Sequence, residues 1–398
     1  MQLAEDELRV EQARRAARVL SAGYGSFGFV WGTWVVAFPA FLGAHGLTPG
    51  GASSILVALS VTSIAVMLLI APRLESLPRR STVGAALAIH GIGAVLIGLA
   101  PSGALLAVFA VTGIGTGLVD VFVSAAGQEA EVRSRRPVLQ RVHASYSLGG
   151  ASGALSAAVL LESGASWRAA LALAGAVQLA AALSSRRSPA LGASPTASGS
   201  RPAVSLVAFA RAPLLLFPTM VLLASFFIEG SMDVWSVIYL RRTLGASTLT
   251  GAASFAAFAL AMAAGRGFAA RILFGLGYRR TILFSGLGSM AAGLVIVTTS
   301  EPLVAGGAFL VLGFTVAAAA PAAFGLAGAF GLDAGMVVAA MTTVGYTGFV
   351  VGPPIMGRLA DQVGLRATMA ALLVATLGIA AGAIPRRVTA PSANTAPL

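Results

Sequence analysis

Apolar stretches, each about 20 residues long, recur along the whole chain and constrain its fold more than any other feature. A helix needs about 20 apolar residues to cross a bilayer, because each residue adds only about 1.5 Å to its length. Only 10% of the 398 residues are charged, compared with about 25% in soluble proteins. The pattern therefore predicts an all-α integral membrane protein.

Twelve such stretches predict twelve transmembrane helices. They lie near residues 19–42, 51–72, 82–100, 104–126, 143–162, 166–184, 214–239, 249–270, 281–299, 302–324, 335–357 and 367–384. We expect an N-terminal segment (1–18), a first six-helix bundle (19–184), a linker (185–213), a second six-helix bundle (214–384) and a tail (385–398). The linker is rich in Ser, Pro, Gly and Arg, which is typical of a flexible connector.

The two halves also resemble each other in sequence. At an offset of 201 residues, Trp34 to Ser53 aligns with Trp235 to Ser254 and matches at Trp, Gly, Ala and Ser positions. Parallel repeats of this kind are a known transporter architecture, in which the halves are related by an axis along the membrane normal. We therefore predict two pseudo-symmetric six-helix bundles.

The arginines predict the orientation in the membrane. All 26 basic residues are Arg, and with the N-terminus in the cytoplasm 21 of them lie in inner segments and five in outer ones. The positive-inside rule then places both termini in the cytoplasm of a protein in the inner (plasma) membrane. This spacing between apolar stretches also argues against a nucleic-acid partner.

Composition excludes several kinds of chemistry. The chain has no Lys, which excludes a Schiff base and a P-loop lysine, and no Cys, which excludes a disulfide framework. His45, His90 and His143 lie on different segments without metal-ligand spacing. We expect no metal, no cofactor and no enzymatic activity, and we expect a monomer whose partners are a small molecule, protons and lipid.

Asp120 is an acid inside the fourth apolar stretch. The small or polar residues that share its helix face are Gly113, Gly117, Ser124, Gly127, Gln128 and Glu131. A carboxylate in hydrocarbon is costly unless it is protonated, paired or hydrated. We predict that Asp120 lines a water-accessible path and carries a proton, with Ser124 and Gln128 beside the substrate. The alternative is a structural acid paired with an arginine between helices.

Glu229 and Asp233 form a second acidic group, one helical turn apart in the seventh stretch. Two carboxylates this close in a poor dielectric do not both stay ionised unless one is paired, so we predict that they assist proton coupling. Hydration of Asp233 near the outer mouth is the alternative. Arg266 lies at a depth similar to that of Asp120 and is either a counter-ion, a gate or part of a structural loop.

Several aromatic and hydroxyl side chains are candidates for lining a substrate cavity. They are Trp31 and Trp34 in the first stretch, Trp235 in the seventh, and Thr343 and Tyr346 in the eleventh. Anchoring at the membrane interface is the alternative for aromatic residues near helix ends. His143 opens the fifth helix, where an interfacial role is expected.

The loop Ala71 to Arg80 (APRLESLPRR) has Glu75, Arg79 and Arg80 at the charged positions of a known transporter signature between helices 2 and 3. With this loop and its twelve apolar stretches, nearly the whole chain resembles the major facilitator superfamily. The related loop Gly265 to Arg280 has Ala270 where an Asp is usual. The resemblance implies gating or structural roles, which we assign to Glu75, Arg79, Arg80, Glu131, His143 and Arg266.

A narrower likeness is to the bacterial branch related to the fucose/proton symporter. It is carried by Gly117 to Val121, His143 to Gly150 (HASYSLGG), Glu229 to Arg241 and Ala259 to Arg266. The resemblance implies an acid on helix 4 that couples to protons, at the position of Asp120. The family usually has Asn four residues later, where this chain has Ser124.

The sequence thus predicts a proton-coupled secondary transporter that moves a small polar organic solute, such as a sugar, by alternating access. An efflux pump for drugs or natural products is the alternative within the same class. A membrane-embedded enzyme is a different class, but the chain has no nucleophile elbow and no carboxylates at metal spacing. A sensor has no signalling module to support it.

Overall fold

The computed structural model describes residues 2–134, 138–191, 213–328 and 334–383, and this part of the chain is helical without strands. The predicted linker lies outside the described residues between 192 and 212, and the predicted tail lies wholly outside them. The predicted N-terminal segment, 1–18, is continuous with the first membrane helix from Gln2 onward.

Six helices form the first half. They are α1 (Gln2–Ala44), α2 (Pro49–Ala65, continued by Val66–Ile70 and Ala71–Leu74), α3 (Arg79–Leu99), α4 (Leu105–Ser134), α5 (Leu139–Glu162) and α6 (Trp167–Arg187). The second half begins with α7 (Leu216–Thr243) and includes α10 (Pro302–Ala317, continued by Ala319–Gly328).

Two helical stretches of the second half are too long for one crossing. Thr248–Thr298 has 51 residues, which would be about 76 Å of helix against a hydrocarbon core of about 30 Å. Gly277 breaks this stretch with φ 74°, and Gly364 breaks Ala334–Ala381 with φ 80°, a region that favours glycine. The breaks give α8 (248–276), α9 (278–298), α11 (334–363) and α12 (365–381).

The predicted twelve-helix architecture is therefore confirmed. Ten stretches of the described residues are long and apolar enough to span a membrane, and two of them contain the glycine breaks. We call the side where α1 begins the near face and the opposite side the far face. Odd-numbered helices run from the near to the far face, and even-numbered helices return.

Glycines let one helix pair in each half pack backbone to backbone. In the first half, a Cβ at Gly32 of α1 would collide with the carbonyl oxygen of Gly150 on α5. In the second half, a Cβ at Gly230 of α7 would lie 2.6 Å from the carbonyl oxygen of Phe349 on α11. Close approach through small residues is how membrane helices gain packing energy in lipid. We call these two glycine contacts the α1–α5 seam and the α7–α11 seam. They lie at equivalent positions in the two halves, which supports the predicted pseudo-symmetry.

Polar contacts between the two halves close the far face. The Thr48 hydroxyl at the start of α2 donates to Asp361 Oδ2 on α11 at 2.7 Å. The backbone N–H of Leu249 on α8 donates to Glu162 Oε1 at the end of α5 at 2.9 Å. Arg242 on α7 adds a hydrogen bond of 3.1 Å to a backbone carbonyl of α1. We call these contacts the far-face seal.

The Gly352-Pro353-Pro354 segment of α11 also contacts the first half near the far face. Pro354 has no N–H, so it cannot donate to the carbonyl of Val350 four residues earlier. Ser60 of α2 donates to that carbonyl at 3.4 Å, and Ser53 of α2 donates to the carbonyl of Pro354 at 2.8 Å. Side chains of the first half thus satisfy backbone groups in α11 of the second half.

The α1–α5 seam predicts that Gly32→Ala lowers stability. The added Cβ has no room against the backbone of α5, and overpacking of this kind costs about 1–3 kcal/mol. Gly43→Ala is the matched control on the same helix, because a Cβ there meets nothing within 4 Å and Ala favours helix by up to about 1 kcal/mol. Thermal unfolding of the purified protein in detergent measures both. Equal stability of the two variants would refute the close packing of this seam.

Candidate functional site

Asp120 lies where both halves of the molecule meet. Helix α4 places its half-buried carboxylate between two tyrosine hydroxyls. Tyr24 of α1 donates to Oδ1 at 3.0 Å, and Tyr346 of α11 donates to Oδ2 at 3.0 Å. Hydrogen bonds to an ionised acceptor are about twice as strong as neutral ones. One carboxylate therefore holds a helix of the first half and a helix of the second half together.

Glu229 and Arg266 form an ion pair within the second half. Nη2 of Arg266 on α8 lies 2.8 Å and 2.9 Å from the two carboxylate oxygens of Glu229 on α7. The side chains are 38% and 16% exposed, so the pair is shielded on the glutamate side and accessible on the arginine side. Among the roles that the sequence leaves open for Arg266, this contact favours that of a counter-ion, with Glu229 as its partner.

Asp233 lies one turn along α7 from Glu229, toward the far face, and is half-buried. Among the described residues no donor forms a hydrogen bond with its carboxylate. It lines a small cavity of about 20 Å³, enough for about one water molecule. The cavity is enclosed by α1, α5, α7 and α8, with Trp31, Gly32, Tyr146, Ser147, Gly150, Glu229, Asp233, Phe255, Phe258, Ala259 and Met262 on its wall.

Aromatic rings connect the Asp120 contacts to this cavity. The ring centroids of Tyr24 and Tyr146 are 5.3 Å apart, and Phe27 lies 5.7 Å from Tyr146 and 6.3 Å from Trp31. His143 packs edge-on against Tyr24 at 5.1 Å. The ring contacts are therefore continuous from Tyr24 to Tyr146 and Trp31 on the cavity wall.

The sequence reading missed Tyr24 and Tyr146. The sequence does contain a pattern that points to Tyr24. Tyr24, Phe27 and Trp31 have the i, i+3, i+7 spacing of one helix face. Tyr146 is part of the segment His143 to Gly150 (HASYSLGG), but nothing in that segment alone distinguishes a cavity residue from a packing residue.

Two predicted cavity residues lie elsewhere. Trp34 is 4% exposed and packs against Phe38 and Phe41 at 4.9 Å and 5.1 Å, in the far half of α1. Trp235 is fully buried and donates Nε1–H to the carbonyl of Pro353 at 2.9 Å. Their large apolar surfaces are used for packing between helices. Neither residue lines the cavity of about 20 Å³, whereas Trp31 does.

The other predicted polar residues lie on α4 and α11, the helices that carry Asp120 and Tyr346. Ser124 is half-buried one turn along α4, and Gln128 is exposed two turns along. Thr343 is half-buried on α11, three residues before Tyr346. Gly113 and Gly117 do not face this region, because a Cβ on either would collide with or crowd the α2 backbone at Leu59 and Ser63. Close packing on α2 explains the small residues at that end of the predicted stripe.

Arg79, from the loop signature, pairs with Glu129 on α4. Its Nη2 and Nε lie 2.6 Å and 2.9 Å from Glu129 Oε1, and the arginine side chain is only 7% exposed. The sequence reading singled out Glu131 instead of Glu129. The structure has Glu131 Oε2 accept the backbone N–H groups of Val138 and Leu139, where α5 begins. Glu131 thus satisfies free donors at a helix start.

The remaining signature residues are on the near face. Arg80 is exposed at the start of α3, and Glu75 is half-buried in the connection from α2 to α3. Among the described residues no group of three His, Asp or Glu side chains has the arrangement of a metal site. His45 lies in the far-face turn, where burial and the nearby charge of Arg168 lower the pKa of its imidazole.

Comparison with known proteins gives one family. The family model described as Major Facilitator Superfamily matches residues 20–353. An MFS-type transporter of Yersinia pestis is 28% identical over 279 residues, covering 69% of this chain and 71% of the relative. A transporter of Sinorhizobium fredii is 27% identical over 365 residues, covering 88% and 92%.

The fold is also shared with solved transporters. A crystal structure of a bacterial homologue of the human lysosomal transporter Spinster, in an inward-facing and occupied conformation, superposes with a TM-score of 0.73 at 14% identity. The match covers 92% of this chain and 95% of that one. At this identity the likeness concerns the fold alone.

The Arg79–Glu129 pair predicts that Glu129→Ala destabilises the first half. Removal of the carboxylate leaves a buried guanidinium without its partner, and loss of one member of a buried pair costs about 3–5 kcal/mol. Arg80→Ala, at the exposed neighbouring arginine, should change stability by less than about 0.5 kcal/mol. Both are measured by thermal unfolding in detergent. If Glu129→Ala is as stable as Arg80→Ala, the ion pair has no structural role.

Proposed function

The chain belongs to the Major Facilitator Superfamily, and from that premise we propose that it is a proton-coupled transporter of a small polar organic solute, with Asp120 as the proton-carrying group. Membership makes it a multi-pass membrane protein and a secondary transporter, in a family that is not enzymatic. The coupling ion, the residues and the solute class are parts of the proposal.

The observation that carries the proposal is the bridge from Tyr24 through Asp120 to Tyr346. The ionised carboxylate accepts a hydrogen bond from each half. Protonation removes the charge that strengthens both bonds and converts one oxygen to a hydroxyl, which must then donate. Uptake of a proton therefore weakens the contact between the halves at this point.

The far-face seal determines on which side the halves separate when the Asp120 bridge weakens. Contacts such as Thr48–Asp361 and Leu249–Glu162 hold the far side closed in the conformation described here. The Asp120 bridge lies between the seal and the near face, about halfway along α4. When the bridge loosens while the seal holds, the halves separate on the near side and the cavity opens there. Rocking of residues 19–184 against 214–384 is the corresponding alternating-access movement.

The orientation in the membrane, the solute class and the supporting residues are proposed from the sequence. The positive-inside rule supports a cytoplasmic near face, with both termini in the cytoplasm and the chain in the plasma membrane as a monomer. The likeness to the fucose/proton symporter branch supports symport of a polar solute such as a sugar. Glu229 and Asp233 are secondary proton sites in this scheme. Glu75, Arg79, Arg80, Glu131, His143 and Arg266 would act in gating or in supporting the gates.

The proposal predicts that Asp120→Asn abolishes uphill transport but preserves exchange. Asparagine cannot carry the proton, although it still offers an acceptor to the tyrosines. Proteoliposomes with an imposed pH gradient should accumulate a radiolabelled solute from a panel of sugars, nucleosides and amines with the native protein and fail to do so with the variant. Exchange at equal concentrations should remain within about tenfold, a change of about 1.4 kcal/mol in the barrier. Normal uphill accumulation by Asp120→Asn would refute the assignment.

A second prediction concerns the tyrosine of the other half. Tyr346→Phe removes a hydrogen bond to a charged acceptor, worth roughly 1.5–3 kcal/mol, and should uncouple solute movement from the proton gradient. Tyr239→Phe is the matched control, because its hydroxyl donates to the carbonyl of Ile296 within the second half at 2.6 Å. It should lower thermal stability by about 1 kcal/mol and leave the ratio of solute to protons unchanged. Equal coupling ratios in the two variants would count against the bridge.

A further inference from the structure

The cavity between the halves has one more carboxylate than it has cationic partners. Glu229 receives both short contacts of Arg266. Arg266 is also close enough to Asp233 to affect its electrostatics, but it forms no hydrogen bond with it. Among the described residues, no Arg or His lines this cavity. The cavity therefore carries an uncompensated acid when Asp233 is ionised, and burial of an unpaired charge is costly.

The rest of the wall is suited to a positive charge. Trp31, Tyr146, Phe255 and Phe258 are aromatic residues on the same cavity wall as Asp233. Aromatic rings attract organic cations through their quadrupole, and the attraction is strongest for Trp and grows when water is excluded. Met262 adds a polarisable apolar surface. Aromatic rings with one free carboxylate are the chemistry that recognises ammonium groups.

The location fits a transported ligand. Trp31 and Tyr146 come from α1 and α5 of the first half, while Asp233 and Phe258 come from α7 and α8 of the second half. A molecule bound here contacts both moving bodies. The space of about 20 Å³ is too small for an organic molecule, so the site must expand as the halves separate.

We propose that Asp233 and the surrounding aromatic side chains form a binding site for an organic cation, so that the transported solute carries an ammonium group. The inference rests on the proposed transport function and narrows its solute class. A cation neutralises Asp233 on binding, whereas a neutral polyol leaves the charge uncompensated and an anion is repelled. The ring wall stabilises the apolar part of the same ligand.

Three ammonium compounds test the site on the full-length protein in detergent: choline, phenethylamine and benzyltrimethylammonium. The neutral probe 3,3-dimethylbutan-1-ol has the shape of choline without its charge, and phenylacetate carries the opposite charge. Thermal stabilisation reports binding, because a ligand of the folded state raises the unfolding temperature by mass action. At least one ammonium compound should bind tenfold or more tightly than the neutral and anionic probes.

Variants place the binding at Asp233. Asp233→Asn should weaken binding of the ammonium probe at least tenfold and reduce the protein's preference for this probe over the neutral one. Asp233→Glu should restore that preference. Glu301→Gln removes the same charge at an exposed site before α10 and should leave binding unchanged. Equal binding of charged and neutral probes, unaltered binding by Asp233→Asn, or no stabilisation by any of the three cations would overturn the proposal.

Transport assays separate this inference from the proton coupling. If the native protein accumulates a neutral solute in response to a proton gradient, and Asp233→Asn does so equally well, the cation site is overturned. The role of Asp120 in proton coupling is then retained. Cation binding that depends on Asp233, without any pH-driven transport, would support the site and overturn the coupling.

Discussion

The hydrogen-bonded carboxylate of Asp120 is the interaction on which the account of this molecule depends. A charge away from bulk water must be compensated by nearby donors, and here the donors come from both halves, through Tyr24 and Tyr346. One side chain is therefore hydrogen-bonded to both bundles. A carboxylate compensated within a single half, as Glu229 is by Arg266, has no such link.

Within each half, one pair of helices packs backbone against backbone. The α1–α5 and α7–α11 seams pack backbone against backbone at glycines such as Gly32 and Gly230, where added atoms have no space. The polar contacts between the halves include the exposed hydrogen bonds Thr48–Asp361 and Leu249–Glu162 at the far face.

The sequence predicted the helices well because membrane crossing requires long apolar segments, and the breaks at Gly277 and Gly364 fall between predicted helices. It also identified Asp120, since an acid among apolar residues is conspicuous. The partners were harder to predict: helical periodicity shows which residues share a face, but not which helix lies opposite. Tyr24 and Glu129 were missed for that reason. Trp235 was assigned to the cavity because a large aromatic residue suits packing and ligand binding equally.

The distance between the halves on the near face, measured as a function of pH, tests the central claim most directly. The chain has no Cys, so spin labels at Arg141→Cys on α5 and Ala270→Cys on α8 report one distance, and both positions are exposed. Electron–electron resonance should show this distance lengthening as pH falls, and a distance that no longer depends on pH when Asp120→Asn is added. A pH-dependent distance that is the same with and without Asp120→Asn would contradict the account.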